Sequence, residues 1–351
     1  MLVNTKPTQT DLRFAAAALR LGMRNAGRTS PNPCVAAVIV RHDTPTPIIV
    51  GLSVTAPGGR PHAETQAIAE AGVEARGATL YVTLEPCSHF GSTPPCADAV
   101  IAAGISRVVA CMADPNPAVA GKGFQCLRDA GIEVIYPVLQ QDAMRAHAAH
   151  IRWTVSKRPH IFLKMAVSKD GFIGRRGEGQ IAISGSIAKS YTYMLRAMSD
   201  GIVIGGGTAR ADNPSLTCRL PGMKDRSPRR IILVDKDRLP PDTALFAENS
   251  GSPPVFLTGL NAEQIVERLV AMDMRTVMIE GGAAVAAAFL DADLIDEVQL
   301  ISSGVELGGE GVPAPLQQMT NEKRFTVVDR KQLGDDTLTI YWRRDKLCLP
   351  E

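Results

Sequence analysis

The first half of the chain is characterised by His62-Ala63-Glu64, followed by Pro86-Cys87 and then by Cys96. These segments offer one imidazole, two thiols and one further carboxylate. A catalytic zinc ion usually takes three protein ligands and leaves its fourth tetrahedral position to water. His62, Cys87 and Cys96 match that count. Zinc lowers the pKa of its bound water to about 7, so that hydroxide can form at neutral pH. A base must still accept the proton, and Glu64 is placed for that task.

The local sequence predicts that each of these side chains lies at the boundary of a helix or strand. Pro61 opens a predicted helix that ends before Gly72, with Pro at its first position and Gly after its end. Cys96 lies in the first turn of a second predicted helix, where the helix dipole favours a thiolate. Cys87 follows an apolar predicted strand. Since residues two apart do not share a helix face, Glu64 is expected to act on the water and not to bind the metal.

A structural role for these residues is the alternative. A lone buried cysteine usually serves as a small hydrophobe, which is the role expected for Cys34, Cys111, Cys126, Cys218 and Cys348. For the set of His62, Cys87 and Cys96, the structural alternative is a closed zinc site with a fourth nitrogen or sulfur ligand. His89 is the nearby candidate for that ligand, but it is expected to face the substrate.

The pattern H-x-E followed by P-C is typical of zinc deaminases, in which hydroxide attacks an amine-bearing ring carbon. Eight residues separate Cys87 from Cys96, instead of the two in the common form. With this longer loop, the first half of the chain resembles the deaminase half of the RibD family, the bifunctional deaminase/reductases of riboflavin biosynthesis. The segments that carry the resemblance are residues 59–64, 81–89, 93–96 and 114–117, with Asn32-Pro33 ahead of an apolar strand.

This resemblance implies a fold, a substrate and a set of site residues. The fold would be a cytidine-deaminase-like, three-layer α/β/α domain. The substrate would be 2,5-diamino-6-ribosylamino-4(3H)-pyrimidinone 5′-phosphate, which loses its ring amino group as ammonia. The implied roles are zinc binding by His62, Cys87 and Cys96, proton transfer by the catalytic Glu64, and substrate binding by Asn32, His89, Asp114 and Asn116. Ser92 departs from the family pattern, which usually has Lys or Arg there.

Composition agrees with an intracellular enzyme of two domains. The 351 residues are enough for two hydrophobic cores, and a net charge of +2 offers no basic stripe for nucleic acid. Seven cysteines spread along the chain argue against a disulfide scaffold. No apolar signal core opens the sequence, and no run reaches the ~18 apolar residues of a membrane span. The sequence predicts a cytoplasmic homo-oligomer with no nucleic-acid or membrane partner.

Helix and strand alternate in the first half, which predicts an α/β fold with helices on both faces of the sheet. The predicted elements are a helix over 11–24 with Thr10 as its N-cap, strands over 34–40, 48–50, 78–83, 106–111 and 131–136, and a helix over 124–130. A helix over 139–153 closes this half, and its His147 and His150 are expected on a solvated face. The predicted boundary gives a deaminase domain over 1–150 and a reductase domain over 151–351.

The second half contains two glycine turns that each follow an apolar strand. Gly205-Gly206-Gly207-Thr208 follows the first strand, and Glu280-Gly281-Gly282 follows the second, ahead of an Ala-rich helix. Glycine turns at helix N-termini allow backbone N–H groups to approach phosphate oxygens. One such turn could equally be an ordinary tight turn. Two of them could clamp a pyrophosphate.

With residues 164–171, 205–214, 216–219 and 280–282, this half resembles the reductase domain of the same family, which has a dihydrofolate-reductase-like α/β fold and uses NADPH. The resemblance implies cofactor contacts by Ala166, Ala182, Thr208, Asp212 and Gly282, and substrate contacts by Lys164, Arg196, Leu216, Arg219 and Glu280. A guanidinium fork reads phosphate bidentately, which suits Arg196 and Arg219; the alternative for each is a surface ion pair. Ala182 stands where many members have Trp. The preference for NADPH over NADH rests on the resemblance.

The sequence therefore predicts a bifunctional enzyme of riboflavin biosynthesis. Zinc-dependent deamination would be followed by NADPH-dependent reduction of the ribosyl chain to give 5-amino-6-ribitylamino-uracil 5′-phosphate. One alternative is a nucleoside or tRNA deaminase with an inactive reductase-like domain, against which the long cysteine loop and the absence of a basic face count. Another is a non-catalytic zinc protein that binds a pyrimidine phosphate, in which Glu64 would be dispensable.

Overall fold

The chain folds into two compact units. The computed structural model describes residues 6–91, 93–247, 252–309 and 311–344, so Ser92 and Cys348 lie outside the described residues. The first unit runs to Lys157 and the second begins at Arg158. The division lies beyond residue 150 because one helix continues through Ser156. Among the described residues, no helix combines the length and the apolar character that a membrane span requires.

The first unit is an α/β domain built on one sheet. Its helices are α1 (Gln9–Gly22), α2 (Ala63–Ala71), α3 (Cys96–Ala102), α4 (Lys122–Asp129), α5 (Gln140–Ala146) and α6 (Ala148–Ser156). Its strands are β1 (Ala36–Arg41), β2 (Ile48–Val54), β3 (Thr79–Val82), β4 (Arg107–Ala110) and β5 (Glu133–Ile135). The strand order is β2-β1-β3-β4-β5, in which β1 runs antiparallel to its neighbours and β3, β4 and β5 are parallel. The predicted alternation of helix and strand is confirmed.

Close packing of α2 against β2 sets the position of the His62-Ala63-Glu64 segment. Gly51 in β2 faces the helix, and a Cβ atom at that position would lie 2.3 Å from the carbonyl oxygen of Ala67. A side chain at position 51 would therefore push the helix away from the sheet. The helix face that meets the sheet is made of small residues, including the fully buried Ala63 and Ala67. Gly51 thus lets β2 approach the middle and end of α2, the helix that begins beside His62.

Several sequence predictions for this unit are wrong in detail. The N-cap of α1 is Thr8 and not Thr10, because Thr8 and Asp11 form a capping box. Pro61 precedes α2 instead of opening it, and His62 is the N-cap residue. The predicted helix over 139–153 is two helices that meet at His147. Cys126 is exposed and so is not a core hydrophobe.

The second unit is a larger α/β domain. Its helices are α7 (Ser186–Ala197), α8 (Gly206–Asp212), α9 (Ala262–Ala271), α10 (Ala283–Asp291) and α11 (Leu316–Met319). Its strands are β6 (His160–Val167), β7 (Phe172–Arg175), β8 (Gly201–Gly205), β9 (Arg229–Leu233), β10 (Val255–Phe256), β11 (Thr276–Glu280), β12 (Glu297–Ser302), β13 (Gly311–Pro313), β14 (Phe325–Leu333) and β15 (Asp336–Arg343).

Parallel strands place both glycine turns at one edge of the main sheet, whose order is β10-β9-β8-β11-β6-β12-β15-β14. The six strands from β10 to β12 in this order are parallel to one another. Strand β15 runs antiparallel to both of its neighbours, β12 and β14. Adjacent strands β8 and β11 end at Gly205 and Glu280, so the turns that follow them are neighbours. In open α/β sheets, ligands bind beyond the carboxyl ends of the strands.

His147 is not on a solvated helix face, so that prediction is wrong. The side chain is 3 % exposed at the junction of α5 and α6. Burial and, to a smaller extent, the neighbouring His150 lower the pKa of His147 to about 3. The folded chain therefore keeps this imidazole neutral at pH values where an exposed histidine is charged.

This burial predicts that the first unit loses stability in mild acid. The unfolded chain takes up a proton at His147 below about pH 6.5, whereas the folded chain does so only near pH 3, so the free energy of unfolding falls as the pH drops through 6.5. Between pH 8 and pH 5 the expected loss is about 2 kcal/mol. Urea unfolding across this range should show a shallower pH dependence for His147→Gln. The control His89→Gln, at an exposed histidine, should follow the parent chain; equal slopes for all three would contradict the assignment.

Candidate active site

Three side chains from separate segments of the first unit converge. His62 is the N-cap residue of α2, Cys87 follows β3, and Cys96 is the first residue of α3. Nδ1 of His62 lies 3.3 Å from Sγ of Cys96 and 3.7 Å from Sγ of Cys87. All three ligand atoms lie within 4.8 Å of one another. Tetrahedral zinc with bonds of about 2.0–2.3 Å spaces its ligand atoms by roughly 3.5 Å, so this cluster could hold a zinc ion.

The protonation of the two thiols also fits a cation. A hydrogen bond from Cys96 lowers the pKa of Cys87 to about 4, and the backbone N–H of Cys96 donates to the same sulfur at 3.3 Å. The pKa of Cys96 is raised, first by its hydrogen bond with Cys87 and then by burial. Without a metal, the second thiol therefore keeps its proton. A divalent cation would let both sulfurs ionise, because it would neutralise the charge that they share.

Glu64 lies beside this cluster. Its side chain is buried, and burial raises the pKa of the carboxyl group to about 7. Cys96 hydrogen-bonds to it. Within the described residues, the group that could hold a metal consists of His62, Cys87 and Cys96. Glu64 thus stays available for proton transfer, for which a pKa close to the working pH is favourable.

The four predicted substrate residues of this half differ in their contacts with the candidate zinc ligands. Asn32 is next to the cluster: its amide donates to the carbonyl oxygen of Gly59 at 2.8 Å and lies 3.4 Å from Nε2 of His62. Asp114 and Asn116 form a turn in which each side chain accepts a backbone N–H two residues ahead, at 2.8 and 3.1 Å. His89 is exposed in the loop between the two cysteines. Only Asn32 contacts a candidate zinc ligand in this set.

Sequence reasoning missed Glu85, which organises the loop that carries Asp114 and Asn116. Its buried carboxylate accepts four backbone N–H groups. The donors and their distances are Asp114 at 3.0 Å, Gly121 at 2.9 Å, Gly123 at 2.8 Å and Phe124 at 3.3 Å. The loop is therefore fixed to the chain two residues before Cys87. The available signal was a carboxylate in an otherwise apolar segment, since buried charges need partners.

In the second unit, a buried ion cluster forms around Glu280. Arg196 donates from Nε and Nη2 to Oε2 of Glu280, each at 2.8 Å, and Nζ of Lys164 lies 3.5 Å from Oε1. Burial alone would raise the pKa of Glu280, but Arg196 and Lys164 outweigh it and lower that pKa. Burial lowers the pKa of Lys164, an effect that Glu280 opposes. The alternative of a surface ion pair does not apply to Arg196, because this pair is largely buried.

The other two predicted substrate residues, Leu216 and Arg219, are close in sequence to Thr217, which contacts Arg196. Nη1 of Arg196 donates to the carbonyl oxygen of Thr217 at 3.0 Å. Leu216, next to Thr217, is buried and has a left-handed backbone conformation with φ of 56°. That conformation is unfavourable for a branched side chain, so the surroundings must impose it. Arg219 is exposed, and its Nη2 donates to Oγ of Ser215 at 2.6 Å.

The predicted cofactor residues are partly brought together. Gly281 and Gly282 have φ of 86° and 79°, and a Cβ atom on Gly282 would lie 2.8 Å from Oγ1 of Thr208. Both glycine turns are thus in contact, although Gly206 and Gly207 belong to α8 instead of a loop. Asp212 ends α8, and Ala166 lies in β6. Ala182 is exposed in a segment without regular structure.

Comparison with protein-family models assigns one family to each unit. Residues 8–112 match the cytidine and deoxycytidylate deaminase zinc-binding region, and residues 159–339 match the RibD C-terminal domain. The class of protein is thus a two-domain enzyme in which a zinc-dependent deaminase precedes a reductase. The predicted fold class, a cytidine-deaminase-like domain followed by an α/β reductase domain, is confirmed.

Similarity to whole proteins identifies the family. A riboflavin biosynthesis protein RibD of Aquifex aeolicus is 32 % identical over 96 % of this chain and 99 % of its own length. The structure of Acinetobacter baumannii RibD has a TM-score of 0.80 at 32 % identity, covering 96 % of this chain and 99 % of that one. A Thermotoga maritima diaminohydroxyphosphoribosylaminopyrimidine deaminase/5-amino-6-(5-phosphoribosylamino)uracil reductase has a TM-score of 0.79 at 32 % identity, covering 95 % of this chain and 98 % of that chain.

The chain belongs to the RibD family. It is a bifunctional enzyme of riboflavin biosynthesis that acts on small molecules, with a zinc-dependent deaminase and an NADPH-dependent reductase. The predictions of function, enzyme class and cofactors are confirmed at this level. The sequence alternatives of an inactive reductase-like domain and of a non-catalytic zinc protein are not favoured.

The contacts of Glu85 predict that the Asp114–Asn116 turn depends on this carboxylate. Glu85→Gln replaces one acceptor oxygen by an NH2 group that would face backbone donors, so about 2–3 kcal/mol of loop stability should be lost. Hydrogen exchange should become faster at the amides of Asp114, Gly121, Gly123 and Phe124. The KM of the deaminase should rise by about tenfold if the turn contacts the substrate, since a factor of ten corresponds to ~1.4 kcal/mol.

Asp11 offers a matched control. This carboxylate is equally buried and accepts hydrogen bonds from Arg107, Tyr81 and Thr8. Asp11→Asn should also destabilise the unit but should leave exchange at the four amides unchanged relative to the rest of the domain. If the Glu85 variant shows unchanged protection at those amides, the organising role is wrong.

Proposed function

We propose that the first reaction is the deamination of 2,5-diamino-6-ribosylamino-4(3H)-pyrimidinone 5′-phosphate. The observation that carries this proposal is the convergence of His62, Cys87 and Cys96 with the buried Glu64 beside them. The similarity to the Thermotoga maritima protein, a diaminohydroxyphosphoribosylaminopyrimidine deaminase, supports the substrate class. His62, Cys87 and Cys96 would bind the zinc ion, and Asn32, His89, Asp114 and Asn116 would contact the substrate.

In this proposal the protein supplies ligation, proton transfer and orientation. When bound, zinc supplies an acidified water as the nucleophile. The Glu64 carboxylate takes a proton from the attacking water and passes it to the leaving amino group, so water is consumed and ammonia is released. Asn32 holds the His62 segment through the carbonyl oxygen of Gly59. This hydrogen bond restrains the backbone three residues before the candidate metal ligand.

We propose that the second unit reduces the ribosyl side chain of the deaminated product to ribityl. NADPH supplies the hydride for this step. The neighbouring turns at Thr208 and Gly282 would bind the pyrophosphate of the cofactor, with Ala166, Ala182 and Asp212 as further contacts. Lys164, Arg196, Leu216, Arg219 and Glu280 would contact the sugar phosphate. The proximity of Lys164 and Arg196 to Glu280 supports an anion site there, because these side chains offer two positive charges against one negative charge.

A pocket beside α8 supports the choice of NADPH. It has a volume of about 480 Å³, and its charged lining residues are Arg210, Arg238 and Asp235, so two positive charges stand against one negative charge. Guanidinium groups suit a phosphate monoester such as the 2′-phosphate that distinguishes NADPH from NADH. Arg210 would make that contact.

We also propose the domain roles, the assembly and the location. The deaminase domain would be the first unit and the reductase domain the second, with a boundary between residues 150 and 158; the family-model matches to residues 8–112 and 159–339 support this division. A cytoplasmic location is proposed from the composition, and a homo-oligomer is proposed as the assembly. Sedimentation of the purified protein would test the oligomeric state.

The deaminase proposal predicts separable effects of two substitutions. Glu64→Gln should keep zinc but reduce ammonia release by about 10²–10⁴-fold, the usual contribution of a general acid–base group. Cys96→Ser should lose zinc, because a hydroxyl group replaces a thiolate ligand. Zinc content by elemental analysis and ammonia release from the proposed substrate measure the two effects. Glu70→Gln is the control, because this exposed glutamate on the same helix accepts a hydrogen bond from the backbone N–H of Leu52 that a glutamine oxygen can also accept. Ammonia release at the full rate by the Glu64 variant would refute the mechanism.

The reductase proposal predicts that NADPH is oxidised only when deaminated product is supplied. Arg219→Gln should raise the KM for that product by about tenfold to a hundredfold, since a charged hydrogen bond contributes about 1.5–3 kcal/mol. The affinity for NADPH, measured by fluorescence titration, should stay unchanged. Arg268→Gln, an exposed arginine on α9, is the control. Absence of NADPH oxidation by the parent chain with product present would reject the assignment.

A further inference from the structure

We propose that Arg60 binds the phosphate group of the deaminase substrate and makes this domain selective for phosphorylated pyrimidines. This inference rests on the proposed deaminase function. Arg60 lies two residues before the candidate ligand His62, and its side chain reaches the loop that joins Cys87 to Cys96.

The contacts of Arg60 place a positive charge on that loop. Its Nη1 donates to Oγ1 of Thr93 at 2.7 Å, and a Cβ atom on Gly91 would lie 3.3 Å from Nη2. Because Gly91 has no side chain, position 91 does not cover Nη2 of Arg60. Thr93 lies between Cys87 and Cys96 in the sequence, three residues before Cys96. The guanidinium group of Arg60 therefore contacts the loop that joins the two candidate thiol ligands.

Arg60 differs from Arg41 and Arg107, two other arginines of this unit, in its partners. Arg41 pairs with Asp43 and Glu74, and Arg107 pairs with Asp11 and Glu133. Among the residues that the structure describes, Arg60 has no carboxylate partner and contacts a hydroxyl group instead. A guanidinium group has five N–H donors in a fixed fork, and the bond to Thr93 uses one of them. The charge and the remaining donors match a phosphate monoester, which accepts paired hydrogen bonds from such a fork.

The backbone around Arg60 fixes its position relative to the metal ligands. Gly59 has φ of 86°, and its carbonyl oxygen accepts the hydrogen bond from Asn32, whose amide also lies 3.4 Å from His62. A Cβ atom on Gly59 would lie 2.7 Å from the carbonyl oxygen of Thr29, so the backbones approach closely there. Since Asn32 holds Gly59, the backbone that precedes Arg60 is fixed three residues before His62. A fixed backbone there would let a phosphate on Arg60 align the pyrimidine ring at the zinc site.

The test compares the phosphorylated substrate with its dephosphorylated nucleoside, using the full-length zinc enzyme. The parent chain should favour the phosphorylated compound in kcat/KM, and Arg60→Gln should reduce that preference by about tenfold to a hundredfold, as expected for a lost charged hydrogen bond. Arg60→Lys should retain part of the preference, because it keeps the charge but loses the fork. Inorganic phosphate should inhibit the parent enzyme competitively and the glutamine variant more weakly.

Controls separate this inference from the proposed function and from misfolding. Zinc content and the unfolding midpoint should match between parent and Arg60→Gln. Arg76→Gln removes the same charge at another exposed arginine of the unit and should keep the parental preference. If the parent deaminates neither compound, the proposed function fails. If the parent deaminates both but Arg60→Gln leaves the preference unchanged, or if Arg76→Gln lowers it equally, the role of Arg60 is wrong while the deaminase function stands.

Discussion

Both candidate sites depend on one constraint, which is that the carboxyl ends of neighbouring parallel strands meet at the same edge of a sheet. In the first unit, β3 and β4 are parallel neighbours, and the chain that leaves them carries Cys87 and Asp114. In the second unit, β8 and β11 are parallel neighbours that end at the two glycine turns. Segments far apart in sequence are thus brought together by strand pairing before any side chain makes a specific contact. The chemistry of each site then follows from the residues placed just beyond the strand ends.

The two edges carry opposite charge, and each charge indicates a ligand of the other sign. At the first, two thiols and the Glu64 carboxyl group lie together, and the pKa values of Glu64 and Cys96 are raised, so a cation would favour their ionisation. At the second, Lys164 and Arg196 outnumber the single carboxylate of Glu280. Buried like charges are costly unless a partner neutralises them. A divalent metal fits the first arrangement, and an anion fits the second.

The sequence predicted the elements and the ligand set because those signals are local. Glycine and proline mark helix ends, apolar runs mark strands, and the pattern around His62, Cys87 and Cys96 is specific to a chemistry. Errors arose where distant contacts decide the outcome. The junction of α5 and α6 at His147 depends on tertiary burial, which periodicity does not report. Glu85 bonds to backbone groups 29 to 39 residues away, and backbone donors leave no trace in side-chain patterns.

The site requires glycines at close backbone contacts in addition to the residues of the ligand motif. A Cβ atom on Gly123 would lie 2.0 Å from the carbonyl oxygen of Pro86, so the start of α4 can meet the chain beside Cys87 only because position 123 has no side chain. Gly51 plays the same part between β2 and α2, which carries Glu64. Interiors are close-packed, so a shift forced at either contact would be passed on to the ligand atoms. The site therefore needs glycine at positions outside the ligand motif as well as the ligands themselves.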